Sequence, residues 1–183
     1  MLVDRCLKLS ARQAIEDILE SGRTELAAYN VYGEADFRGM LNETFTPTRP
    51  YVFLVMSKME PTDEAHLPFI VVEFGEIEYD PFELGNREGR TGPIWVHVIG
   101  ETDGEATDIA SYIAKKIKDD NGFAVKNHND VVYYGYAPDM KMCQAEVIDT
   151  IRVEPTGEMA ATLIKAALSY HWYTVSWRYR TLL

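Results

Sequence analysis

The chain is poor in cysteine, in positive charge and in long apolar runs, and each shortage removes a class of protein. Its two cysteines, Cys6 and Cys143, lie far apart and form no C-x-x-C pair, so neither a disulfide framework nor a zinc ribbon is expected. Reduced, buried thiols are the plain reading. Lysine and arginine total 18 against 29 acids, a net charge of −11. Such an excess of acid opposes binding to a phosphate backbone, so no sequence-specific nucleic acid partner is expected. No apolar run approaches the roughly 18 residues that a membrane span requires. Met1-Leu-Val-Asp-Arg-Cys-Leu-Lys-Leu-Ser10 interleaves charges with its apolar residues and lacks the h-region of a signal peptide. A product made in the cytoplasm, with no membrane partner, is the expectation.

Recognisable reaction chemistry is scarce as well. The four histidines, His66, His97, His128 and His171, are scattered without the spacing of a metal site. His97, close to Glu101, reads as a sheet residue rather than a ligand. Gly85, Gly89 and Gly92 match neither G-x-G-x-x-G nor a Walker loop, and there is no G-x-S-x-G. Pro138-Asp139 has no Glu-x-Lys downstream to complete a metal-nuclease signature. Glu73, Glu76, Glu78, Asp80 and Glu83 are acidic enough to attract a hard cation but lack the glycine and bidentate glutamate of a calcium loop, so a solvated strand edge is the reading. No catalytic residue, metal or cofactor is expected. A protein of this kind works by contact.

What is present is a folded domain: 183 residues, 46% of them hydrophobic and 11% aromatic, enough for one core without staples. The pattern centres on Leu67 to Gly100. Leu67-Pro-Phe-Ile-Val-Val-Glu-Phe74 reads as a buried strand with its proline tolerated at the entry. Pro93-Ile-Trp-Val-His-Val-Ile-Gly100 alternates, with Ile94, Val96 and Val98 on one face, and reads as an antiparallel partner. Between them, residues 75 to 92 are polar and glycine-rich, which predicts an extended loop of functional length.

Elsewhere, Ser10 and Gln13 have capping-box spacing ahead of a helix over 11 to 20. Thr102 and Glu105 repeat that spacing before the stripe Ala106, Ile109, Ala110, Ile113 and Ile117, closed by Gly122. Strands are predicted at Tyr51–Met56, Val131–Tyr136 and Ala145–Val153. Met159 to Leu168 favours a helix, with a strand as the alternative. A long closing strand from Tyr170 puts Tyr173, Val175, Trp177 and Tyr179 on its core side. Residues 31 to 50 read as an irregular connection. The order gives a single α+β domain over 1–183, with helices laid on a mainly antiparallel sheet.

In this order of elements the sequence resembles the tail terminator, or tail-completion, proteins of long-tailed bacteriophages and their head-tail joining relatives. The resemblance rests on the amphipathic first helix, Leu67-Pro-Phe-Ile-Val-Val72, the loop holding Glu83-Leu-Gly85, the passage from Ile94 to Ala110, and Val175-Ser-Trp-Arg-Tyr-Arg180. It implies a virion protein of the tail or neck, not an enzyme, assembled as a homo-oligomeric ring that is typically hexameric. Such a ring stops the growth of the tail tube and presents a surface to the head. Its partners would be the tail tube protein and a neck or head-completion protein. The family has no active-site residue to carry over. The segment 31 to 50 and the tyrosine-rich carboxyl half depart from the pattern, which leaves a neck component, another minor tail protein or a small hydrolase as alternatives. On the ring reading, Glu76, Glu78, Asp80, Phe82, Glu83, Arg87 and Arg90 of the 75–92 loop form the expected subunit and tube interface.

Overall fold

The computed structural model describes residues 2–22, 24–26, 52–53, 68–80, 89–100, 102–156 and 171–182. Among the described residues, two helices lie on an eight-stranded, mainly antiparallel sheet, the α+β architecture expected. The spine of that sheet is a pair of twelve-residue strands, β4 (Gly89–Gly100) and β8 (His171–Leu182), matched residue for residue from Gly89 opposite Leu182 to Gly100 opposite His171. The closing strand is therefore central rather than peripheral. Val175, Trp177 and Tyr179 are buried on its core face, as the alternation predicts, together with Ile94, Val96 and Val98 of β4.

Each flank of the spine is a strand broken in two. On the outer side of β4 lie β2 (Phe69–Phe74) and β3 (Glu78–Asp80). Between the pairs Phe74–Ile94 and Glu78–Thr91, three residues of the edge face two of β4, so the edge bulges at residues 75 to 77. On the outer side of β8 lie β6 (Lys141–Val147) and β7 (Arg152–Pro155). Between the pairs Val147–Tyr179 and Arg152–Ser176, four residues of this flank face two of β8. The strand predicted over 145–153 is thus two strands along one edge, interrupted where Ile148 donates its N–H to the Arg178 carbonyl. At the margins, β1 (Val52–Phe53) runs parallel to β2 and β5 (Phe123–Lys126) runs antiparallel to β6.

Helix α2 (Asp103–Asp119) begins and ends where its signals place it. Thr102 is extended, and its hydroxyl accepts the N–H of Glu105 at 3.2 Å. The stripe Ala106, Ile109, Ala110, Ile113 and Ile117 is wholly buried against β4 and β8, each large side chain contributing roughly 1.5–3 kcal/mol. Gly122 closes the helix at φ +101° and donates to the Ile117 carbonyl. A Cβ there would run into the Ala145 carbonyl of β6, so no other residue fits.

Helix α1 (Leu2–Ser21) corrects the sequence reading at its start. It begins eight residues before Ser10, because Val3, Cys6 and Leu7 extend the apolar stripe of Ala11, Ile15, Ile18 and Leu19 through the charges that conceal it. Ser10 is no cap: it is buried in mid-helix against β5. The predicted helix over Met159 to Leu168 and the connection over 31 to 50 lie outside the described residues.

Candidate functional site

Two features of the described surface are built to present side chains outward. The first is the arm formed by β3 and the start of β4, which holds the residues predicted to make the interface. It is less of a loop than expected: residues 78–80 and 89–92 are strand, paired through Glu78 opposite Thr91 and Asp80 opposite Gly89. Glu76 is exposed in the bulge. Glu78 is exposed and meets the Arg178 guanidinium at 3.2 Å. Phe82, Glu83 and Arg87 lie outside the described residues.

Arg90 corrects the prediction. Its side chain is buried, and its Nε donates at 3.1 Å to Asp4 of α1. Tyr79 completes the cluster: its hydroxyl donates to the other Asp4 oxygen at 2.9 Å, and its ring lies 5.4 Å from the guanidinium carbon. The Asp4 carboxylate, through this hydrogen bond and its charge, raises the Tyr79 hydroxyl above its ordinary range. Arg90 therefore fastens the arm to the amino end of α1, buried where the sequence reading had it exposed. The expectation failed because a charged residue in a polar, glycine-rich stretch looks solvated when its partner lies 86 residues away.

The second feature was misread from the sequence. Val131-Val-Tyr-Tyr-Gly-Tyr136, predicted as a strand, is a turn at the tip of a loop that joins β5 to β6. Tyr134 and Gly135 both take positive φ, +47° and +81°, between the mutually bonded backbones of Tyr133 and Tyr136. That is a two-residue hairpin turn of the type that favours glycine. The signal was present in Tyr-Gly flanked by Asn127, Asn129 and Pro138, but the β-branched and aromatic residues outweighed it. Three of them face solvent instead: Val131, Val132 and Tyr134 are each about two-thirds exposed, at 65%, 66% and 71%, while Tyr133 and Tyr136 pack half-buried against the core.

This loop is held from beneath by a buried polar network. Asn127, fully buried, donates to the carbonyls of Val131 at 3.3 Å and Tyr136 at 2.6 Å, while its Oδ1 accepts from the backbone and side chain of Asn129. The Cys6 sulfur of α1 accepts from the His128 N–H at 3.4 Å and from Asn129 at 3.2 Å. One turn further along α1, the Ser10 hydroxyl accepts the N–H of Lys126 at 2.9 Å and lies 3.0 Å from His128 Nε2. Ser10 thereby takes up one backbone N–H at the end of β5. Burial lowers the His128 pKa below the ordinary histidine value, with Lys126 and Arg5 adding to the effect and Asp139 opposing it.

Burial pushes the Cys143 thiol up to about 11, so it is a poor nucleophile. Among the described residues no group of three or more His, Cys, Asp or Glu is placed to hold a metal ion. Among the same residues no helix is long and apolar enough to cross a membrane. Comparison with protein-family models and with curated proteins finds no match.

Proposed function

We propose that this chain is a ring-forming structural subunit of a long-tailed bacteriophage, acting at the end of the tail tube as a tail terminator and joining surface for the head. The observation that carries the reading is the 127–140 loop, where Val131, Val132 and Tyr134 are held out in water on a tightly hydrogen-bonded base. Apolar side chains clustered on an ordered surface mark a contact site. A base built of buried asparagines keeps the ordering entropy small when that contact forms. The order of elements that resembles the terminator family supplies the class of partner: further copies of the chain, the tail tube and a neck protein. Work by contact suits a protein whose perturbed thiol is silenced by burial rather than activated. Phe82, Glu83 and Arg87 of the 75–92 segment, with Glu76, Glu78 and Asp80, remain the proposed contact with the tube.

The test is particle size, read by sedimentation and negative-stain microscopy, for the wild type and for Tyr134→Asp and Val132→Asp. Wild-type protein should form closed rings, alone or on tail tubes, and each substitution should reduce the assembled fraction at least tenfold while circular dichroism stays unchanged. A monomer that neither forms rings nor caps tubes would overturn the reading.

A further inference from the structure

The face of the sheet turned away from the helices carries a second polar assembly, unrelated to either surface above. His97 of β4 is buried between strands, directly opposite Val71 of β2 and Thr174 of β8. Its Nε2 lies 3.3 Å from a Glu73 oxygen. Its Nδ1 has two neighbours: the Thr174 hydroxyl at 2.9 Å and the indole nitrogen of Trp172 at 3.2 Å. The Trp172 ring stands edge-on to the imidazole, with centroids 5.3 Å apart. Beyond it, the Thr174 hydroxyl is hydrogen-bonded to that of Thr156, just past β7.

Donor and acceptor roles follow from the indole, which donates and never accepts. Nδ1 must therefore be the unprotonated nitrogen, the ring proton sits on Nε2 facing the Glu73 carboxylate, and the imidazole is neutral. A second proton has only Nδ1 to go to, where it would meet the indole N–H head-on. Threonine has no such restriction: its hydroxyl rotates to accept from a protonated Nδ1 and passes its own hydrogen toward Thr156. Two bonding patterns thus exist, and they differ in whether Trp172 is held.

We propose that His97 is a proton-operated latch: neutral, it holds the Trp172 indole against the sheet, and on protonation it transfers its bond to Thr174 and releases Trp172. Among the described residues the charged group facing it is Glu73 from β2. Glu154 of β7 stands one strand further, paired with Thr174, while Trp95 and Ile99 of β4 contribute no charge. Burial works in the same direction as the indole and Glu73 works against it, with burial the larger, so His97 titrates below the ordinary histidine value of 6.5. Because the unfolded chain then binds the proton more readily, stability is complete above about pH 6.5 and declines as the pH falls through the window beneath it.

Nitrogen-15 NMR of the full chain between pH 8 and pH 4.5 tests the latch by following the indole N–H resonances and the His97 ring together. The Trp172 resonance should shift with the same midpoint as His97, below 6.5, and the shift should vanish in His97→Gln. Glu73→Gln should move the midpoint lower. Assignment by Trp95→Phe and Trp177→Phe serves if Trp172→Phe does not fold. A Trp172 resonance that stays still while His97 titrates, one that still shifts in His97→Gln, or a His97 midpoint at or above 6.5 would overturn the proposal.

Discussion

At the scale of single residues, the Asp4 and Arg90 pair shows what burial does to an ion pair. Arg90 is nearly inaccessible while Asp4 keeps about a fifth of its side chain in water, 21%. Removing one partner of a buried pair costs about 3–5 kcal/mol because the other is left uncompensated, and partial exposure reduces that figure. Asp4→Ala is therefore expected to lower unfolding stability by about 2–3 kcal/mol in urea titrations, and also to loosen the Tyr79 hydroxyl. The contrast lies on β8. Trp177 is buried in the core and Arg178 meets Glu78 in water, so Trp177→Ala should cost about 3–5 kcal/mol and Arg178→Ala less than about 1. Similar losses from both would mean that β8 has no core face. Trp177 and its neighbours were legible from alternation alone. Arg90 was not, since no local pattern announces an ion pair with a helix at the far end of the chain.

At the scale of elements, legibility followed the range of the interactions that define each one. Helix α2 has its cap, its stripe and its terminating glycine within its own sequence, and it forms where they place it. Strands β2, β4 and β8 were visible for the same reason. Helix α1 was found but started late, because Asp4, Arg5 and Lys8 hide a stripe that becomes obvious only when Val3 and Leu7 are seen buried. The tyrosine-rich segment failed outright: strand propensity measures fit to a half-buried pleated surface, and no such surface is offered at residues 131 to 136. What shapes it is Asn127, whose amide takes up two carbonyls of the loop. Asn127→Ala would leave those carbonyls and the Asn129 donors without their partner at a fully buried position, a loss of about 2–3 kcal/mol. Hydrogen exchange should become markedly faster in residues 127 to 140 while α2 keeps its protection. Uniform acceleration across the chain would show instead that the loop is part of the global unfolding unit.

At the scale of the whole molecule, the proposed ring raises the question of which force would close it when each subunit carries −11. Complementary charge is one answer, with Arg87 and Arg90 meeting Glu76, Glu78 or Asp80 of the next subunit. Arg90 is now withdrawn from that role by Asp4, and Glu78 is engaged by Arg178. The exposed Val131, Val132 and Tyr134 supply another means of contact. The two mechanisms respond oppositely to salt. Charge pairing across an interface weakens as the Debye length shortens from about 30 Å at 0.01 M to about 8 Å at 0.15 M. An apolar contact is indifferent to that screening, whereas the mutual repulsion of acidic subunits is relieved by it. Ring assembly through the loop should therefore strengthen as salt rises over this range, measured as sedimentation at fixed protein concentration. Arg87→Glu should alter the salt dependence only slightly, while Tyr134→Asp should reduce assembly at every ionic strength. Assembly that weakens with salt and collapses in Arg87→Glu would return the interface to the arm and leave the tyrosine loop to face the tube or the head.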